Sequence, residues 1–210
     1  MEYLQIETPK PISARLIRRS GRELAVLLPG LSYTVEKPLL YYTGQLLHDR
    51  DADVLSVDFT YNRDDTFLNA PDDDRLERLR TDGQAIMKFV RSLGEYERIT
   101  IVGKSLGTIS MGWAINDFLD ARLVWLTPSL GGTGLRAQML GRPNPAFCLI
   151  GTRDPAYSET LVEDLTADGI EVAVIEGADH GFSHAGGPVA SVALVQQAIE
   201  KLVLWLDATD

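Results

Sequence analysis

The chain has 210 residues, 45% of them hydrophobic, and a formal net charge of −10. That length suits one domain with a substantial core, and the acidic balance argues against a nucleic-acid surface or a polybasic membrane anchor. A single cysteine, Cys148, excludes an intrachain disulfide and fits a reducing compartment.

Met1-Glu2-Tyr3 lacks the charged and apolar regions of a signal peptide, and no apolar run nears the ~20 residues of a membrane span, so a cytoplasmic protein is expected. Apolar runs then alternate with helical patterns, which predicts an α/β fold with a mostly parallel sheet. Residues 3–7 and 12–19 read as two strands joined by a turn at Pro9 and Pro11, a candidate hairpin. Arg15, Arg18, Arg19 and Arg22 on this stretch are expected to form a solvated sheet edge. Residues 24–28 form a strand buried on both faces that breaks at Pro29-Gly30.

A helix is predicted over 37–50, with Tyr41 and Tyr42 at its core and edge, then a strand over 53–59. Residues 60–74 read as a polar loop ending in Pro71-Asp72-Asp73-Asp74, whose carboxylates favour the positive end of a helix over 75–92. A strand at 98–102, a helix at 106–119 and a strand at 121–126 follow. Residues 127–145 are loop-like with a short helix at 135–140. A strand at 146–150, a helix at 158–168, a strand at 170–175 and a last helix at 187–208 complete the chain. Trp113, Trp125, Trp205 and Cys148 all read as core.

Gly103-Lys104-Ser105-Leu106-Gly107 fits G-x-S-x-G between a strand and a helix. A sharp turn there forces the serine into an unfavourable backbone conformation and crowds its neighbours, so residues without a Cβ are needed beside it. The hydroxyl is left at the carboxyl edge of the sheet, where open α/β sheets bind ligands. A serine needs a base. Of the three histidines, His48 lies on the first helix and reads as a surface residue. His180 follows the last strand in Gly177-Ala178-Asp179-His180-Gly181-Phe182 and is the candidate base, with His184 as the alternative. Asp154, in the loop after strand 146–150, is the candidate acid that orients it. Asp58 is a weaker acid candidate, and Asp179 reads as solvated. A helix-start role before Pro155 would account for Asp154 alone but not for the order Ser, Asp, His.

These residues make the chain resemble the α/β-hydrolases over nearly its whole length. The resemblance implies an eight-stranded, mostly parallel sheet with its second strand antiparallel, helices on both faces and, given the short 127–145 segment, no separate lid domain. It implies an oxyanion hole from the backbone N–H groups of Leu106 and Leu31. The loop 29–33 carries Pro-Gly where the family often has His-Gly, and Lys104 is less usual in the elbow than an aromatic, His or Asp. That lysine is expected to be solvated, to pair with a carboxylate, or to favour an acidic substrate.

The expected activity is hydrolysis of a carboxylic ester of a small or medium substrate through an acyl-enzyme on Ser105, with no metal or organic cofactor. Ser32, Tyr33, Lys104, Leu130 and Phe182 are candidate substrate contacts, with Tyr61 as a further pocket candidate. The partner expected is a small molecule, not nucleic acid or a membrane, and the oligomeric state is open. Thioesters, amides and carbon–carbon bonds are alternatives for the same triad, as is a non-catalytic ligand-binding protein. Gly103-Lys104-Ser105 also resembles the end of a phosphate-binding loop, but that motif needs a glycine where this chain has Arg98.

Overall fold

A computed structural model describes residues 1–19 and 21–209. The first strands, β1 (Glu2–Ile6) and β2 (Ile12–Ile17), pair antiparallel as a hairpin. They are followed by β3 (Glu23–Leu28), α1 (Pro38–Asp49), β4 (Ala52–Asp58), α2 (Asp65–Leu68) and α3 (Asp72–Ser92). Then come β5 (Arg98–Lys104), α4 (Leu106–Gly112), β6 (Arg122–Leu126), α5 (Leu135–Met139), β7 (Ala146–Gly151), α6 (Glu159–Ala167), β8 (Glu171–Ile175) and α7 (Pro188–Thr209). The eight strands form one sheet in the order β1-β2-β4-β3-β5-β6-β7-β8. β2 is antiparallel to both neighbours, and every pairing from β4 to β8 is parallel.

Strand alternation splits the core into two layers. On β7, Ala146, Cys148 and Ile150 join one cluster with α3, α4, α5 and α6, while Phe147 and Leu149 join the other with α1 and α7. On β5, Ile101 faces the first layer and Val102 the second. The central strands β3, β5, β6 and β7 are buried on both faces, as parallel strands under two helical layers must be.

Several expectations need correcting. The arginines of the β2 region do not form a sheet edge, because β2 lies between β1 and β4. Each is ion-paired: Arg15 with Glu36, Arg18 with Glu2 and Asp53, Arg19 with Asp51, and Arg22 with Glu97. Together with Glu23 bridging Arg98 and Arg122, the last four pairs belt the rim at which the parallel strands begin. Tyr41 and Tyr42 are both exposed and meet edge-to-face.

The 60–74 stretch is partly structured, with a 3-10 turn at Tyr61–Arg63 and then α2. The α4 helix is shorter than predicted, since its apolar pattern passes through Gly112 into turns. α7 is long and apolar enough to cross a membrane by length and composition, contrary to the expectation of no such run. Its packing accounts for that composition: Leu194, Val195, Ala198, Leu202, Trp205 and Leu206 are buried in the second core layer.

Candidate active site

Ser105 sits between β5 and α4 at φ 52°, ψ −118°, a strained conformation for a residue with a Cβ. Two glycines permit the turn through close approach. A Cβ on Gly107 would lie 2.1 Å from the Leu28 carbonyl oxygen, and one on Gly103 would lie 2.9 Å from Thr108 Cα. Ser105 N–H donates to the Leu126 carbonyl, tying the elbow to β6.

The acid and base leave the sheet from adjacent strands, and their loops are stitched together. Thr152 N–H donates to the Ile175 carbonyl, Arg153 N–H to the Ala178 carbonyl, and Gly177 N–H to Thr152 Oγ1. Asp179 is not simply solvated: its Oδ1 accepts from Gly181 and Ser183 N–H, which bends the chain after the base. Phe182, at φ 60°, is buried in the second core layer and anchors that bend.

The outcome is a continuous chain of hydrogen bonds. His180 Nε2 lies 2.8 Å from Ser105 Oγ, and Nδ1 lies 2.7 Å from Asp154 Oδ2. With Nδ1 protonated toward the carboxylate, Nε2 is left to accept the serine proton. Asp154 is buried, and burial alone would raise its pKa. The hydrogen bonds from His180 and from Ala156 N–H, with the charges of His180 and Lys104, outweigh burial and hold the carboxyl below its ordinary value. The His180 side chain remains 38% exposed, so the base is open to a ligand.

The remaining candidates sort clearly. Leu106 is the first helical residue of α4, where an N–H has no carbonyl four residues back to bond. Leu31 follows Gly30, whose Cα faces the elbow so closely that a Cβ there would lie 3.2 Å from Ser105 Cβ. Ser32, Tyr33 and Phe182 line an apolar groove of about 680 Å³ between the starts of α1 and α7, with Tyr42, Val192, Val195 and Ile199 among its other walls. Leu130 packs against the opposite core layer instead. His184 Nδ1 accepts from Gly186 N–H and takes no part in the chain, Asp58 is exposed, and half-buried His48 lines a separate cleft under α1.

Tyr61 is no pocket residue. It is buried, stacked on Phe67 with ring centroids 4.5 Å apart, and its hydroxyl donates to Asp82. Lys104 is not solvated, being 1% exposed, and of the three expected roles the attraction of a carboxylate is the one it shows, toward Asp154 and Asp179. It follows Val102 by two residues and therefore points beneath the loops of the second layer. Burial pushes its pKa down to about 8 against the pull of Asp154 and Asp179.

The unfolded ammonium titrates at ~10.4. Between these values the unfolded chain holds more protons, so stability rises with pH; below about 8 the buried charge costs roughly 3 kcal/mol. The urea midpoint of the wild type is expected to gain on that of Lys104→Met between pH ~7.5 and ~10, and midpoints that run parallel would refute the assignment.

Two residues escaped the sequence reading. Ser129 Oγ lies 3.4 Å from Ser105 Oγ, and its N–H donates to Thr108 Oγ1, which itself donates to the Ser105 carbonyl. Thr127, at φ 44°, is fully buried beside Lys104. Both follow β6 at the sheet edge that supplies the triad, which was the available signal. Among the described residues no group of three or more His, Cys, Asp or Glu is arranged to hold a metal.

No protein-family profile and no curated protein matches the chain in sequence. Solved structures do match in shape. Est1E from Butyrivibrio proteoclasticus, with ferulic acid bound, superposes with a TM-score of 0.70 at 15% identity, covering 95% of this chain and 99% of that one. A serine hydrolase without a lid from Xanthomonas campestris gives 0.66 at 13% identity, over 97% and 94% of the two chains. The esterase Est2 from Thermogutta terrifontis, with propionate bound, gives 0.62 at 18% identity, over 96% and 93%. The chain thus has the α/β-hydrolase fold, with an eight-stranded, mostly parallel sheet, helices on both faces and no separate lid.

Proposed function

We propose that this chain is a serine hydrolase that cleaves carboxylic esters of small or medium substrates through an acyl-enzyme. The observation that carries the reading is the unbroken Ser105–His180–Asp154 hydrogen-bond chain at the open edge of the sheet. Ser105 Oγ attacks the carbonyl carbon as His180 Nε2 takes its proton. Asp154 keeps the imidazole in the required tautomer and stabilises its cation. The backbone N–H groups of Leu106 and Leu31 receive the oxyanion, a stabilisation often worth ~3–4 kcal/mol per donor. His180 gives its proton to the leaving alcohol, then activates water to release the acid.

The groove between α1 and α7 supports an apolar arm on the substrate. Its walls include Ser32 and Tyr33, next to Leu31, and Gly181 and Phe182, next to His180, so it adjoins both sides of the reacting centre. A volume of about 680 Å³ lies within the range of small-molecule sites. An esterase and a ferulic-acid complex among the structural neighbours agree with an ester of an aliphatic or aromatic acid. The single buried cysteine agrees with a cytoplasmic location.

The test is intact-mass analysis after treatment with a fluorophosphonate, which reports an activated serine without a known substrate. One adduct is expected on the wild type and none on Ser105→Ala. A folded wild type that takes up no adduct would overturn the proposal.

A further inference from the structure

No step of that acyl-transfer cycle uses Lys104, yet its side chain is among the most buried in the protein. A lysine is hidden from water in this way only when its ammonium is paired. The ammonium has three N–H bonds. One reaches Thr127 Oγ1 at 2.5 Å, and a second reaches the main-chain carbonyl of His180 at 2.7 Å. The Tyr33 ring centroid lies 4.7 Å from Nζ and offers its electron-rich face to the third. Tyr33 is itself fixed, its hydroxyl accepting from Leu39 N–H.

These partners come from three different loops. Thr127 directly follows β6 and leads to Ser129. His180 is the base. Tyr33 lies two residues past Leu31, in the loop after β3. Lys104 itself immediately precedes the nucleophile. One side chain therefore ties the elbow to every loop that the reaction would use except that of Asp154, which is already stitched to the His180 loop. Packing alone does not require a cation there, because an apolar side chain of similar volume would fill the space without losing hydration.

We infer that Lys104 is a positioning residue for the reaction proposed above: by holding the His180 carbonyl, Thr127 and Tyr33 at once, it sets the imidazole against Ser105. The charged and titratable groups around Nζ are Asp154 and Asp179, which attract it, with His180 and Tyr33. Without the ammonium the His180 carbonyl and the Thr127 hydroxyl lose their shared donor, and the base loop is free to shift. A shift of ~1 Å at the reacting atoms is enough to slow an enzyme on the order of 10²-fold.

The experiment compares wild type, Lys104→Met, Thr127→Val and Thr127→Ser on a p-nitrophenyl ester and by thermal melting. Lys104→Met is expected to lower kcat tenfold to a hundredfold, to leave KM within about threefold, and to melt no lower than wild type. Thr127→Val removes one acceptor without changing shape and should lower kcat in the same direction, while Thr127→Ser restores it; this pair decides the matter if Lys104→Met does not fold. A kcat within threefold of wild type in Lys104→Met, or equal behaviour of the two Thr127 variants, would overturn the inference.

A proton NMR measurement separates this from failure of the hydrolase reading. The far-downfield imidazole proton of the His180–Asp154 bond should be sharp in the wild type and lost or displaced in Lys104→Met or, if that variant does not fold, in Thr127→Val. It is read whether or not any ester turns over. An unchanged signal would overturn the positioning role, whereas a wild type that takes no fluorophosphonate overturns the hydrolase reading.

Discussion

Ser105→Ala and His180→Ala are each expected to lower turnover of a small ester by on the order of 10⁴-fold or more, and the double variant should be no slower than either. The reason is geometric. The serine hydroxyl is a nucleophile only while Nε2 is 2.8 Å away to take its proton, and the imidazole does nothing once that hydroxyl is gone. Residues that act as a unit lose their effect together.

His184→Ala should stay within a few-fold of wild type, because its ring meets only its own loop. Ser105→Ala and His184→Ala should melt near the wild type, since the first removes only a hydroxyl and keeps the same strained backbone and the second loses a contact within its own loop. His180→Ala should melt lower, because buried Asp154 loses its partner. The opposite ranking of the two histidines in steady-state kinetics would move the base. Residual activity of Ser105→Ala within tenfold of wild type would remove the nucleophile assignment.

Gly107→Ala should have the largest effect on stability, a loss of more than about 4 kcal/mol that leaves little folded protein. The added methyl would sit 2.1 Å from the Leu28 carbonyl oxygen and 2.6 Å from that of Pro29. Both are main-chain atoms, at the end of β3 and the start of the loop that follows it, so neither can turn aside as a side chain could. The helix α4 would have to lift off the sheet, carrying Leu106 with it. Gly131→Ala is the control: a Cβ there meets nothing within 4 Å, and its melting temperature should match the wild type. Equal melting of the two variants would contradict the close approach that the elbow depends on.

The triad was legible because two independent patterns converged on it. G-x-S-x-G marks a turn that few other residues tolerate, and Asp154 and His180 each follow an apolar run at the same edge of a parallel sheet. For Lys104 only the solvated alternative fails, and one further step in the sequence removes it. Alternation along β5 puts it on the face of Val102, under the loops, and a solvated role was excluded on that ground alone.

Tyr61 was misread because the stretch around it is polar and acidic. Its burial depends on Phe59 and Phe67 closing over it and on Asp82, which comes from the middle of α3. No local pattern reports such a partner. Beyond its place after β6, Ser129 carries no signal of its own in the sequence, because its position beside Ser105 depends on Thr108 in α4 receiving its N–H.

The belt of ion pairs at the start of the parallel strands has its own consequence. Arg18, Arg19, Arg22, Arg98 and Arg122, with their carboxylate partners, all sit at the rim opposite the triad. Salt weakens the exposed members, Arg19–Asp51 and Arg22–Glu97, and reaches those that involve buried Asp53 or Arg122 far less. The molecule thus has a salt-sensitive end and an end that carries the hydrogen-bonded Ser105, His180 and Asp154. Ionic strength, or charge reversal along the exposed part of the belt, is a handle on how firmly the chain stays folded that leaves the Ser105–His180–Asp154 geometry at the far end of the sheet largely untouched.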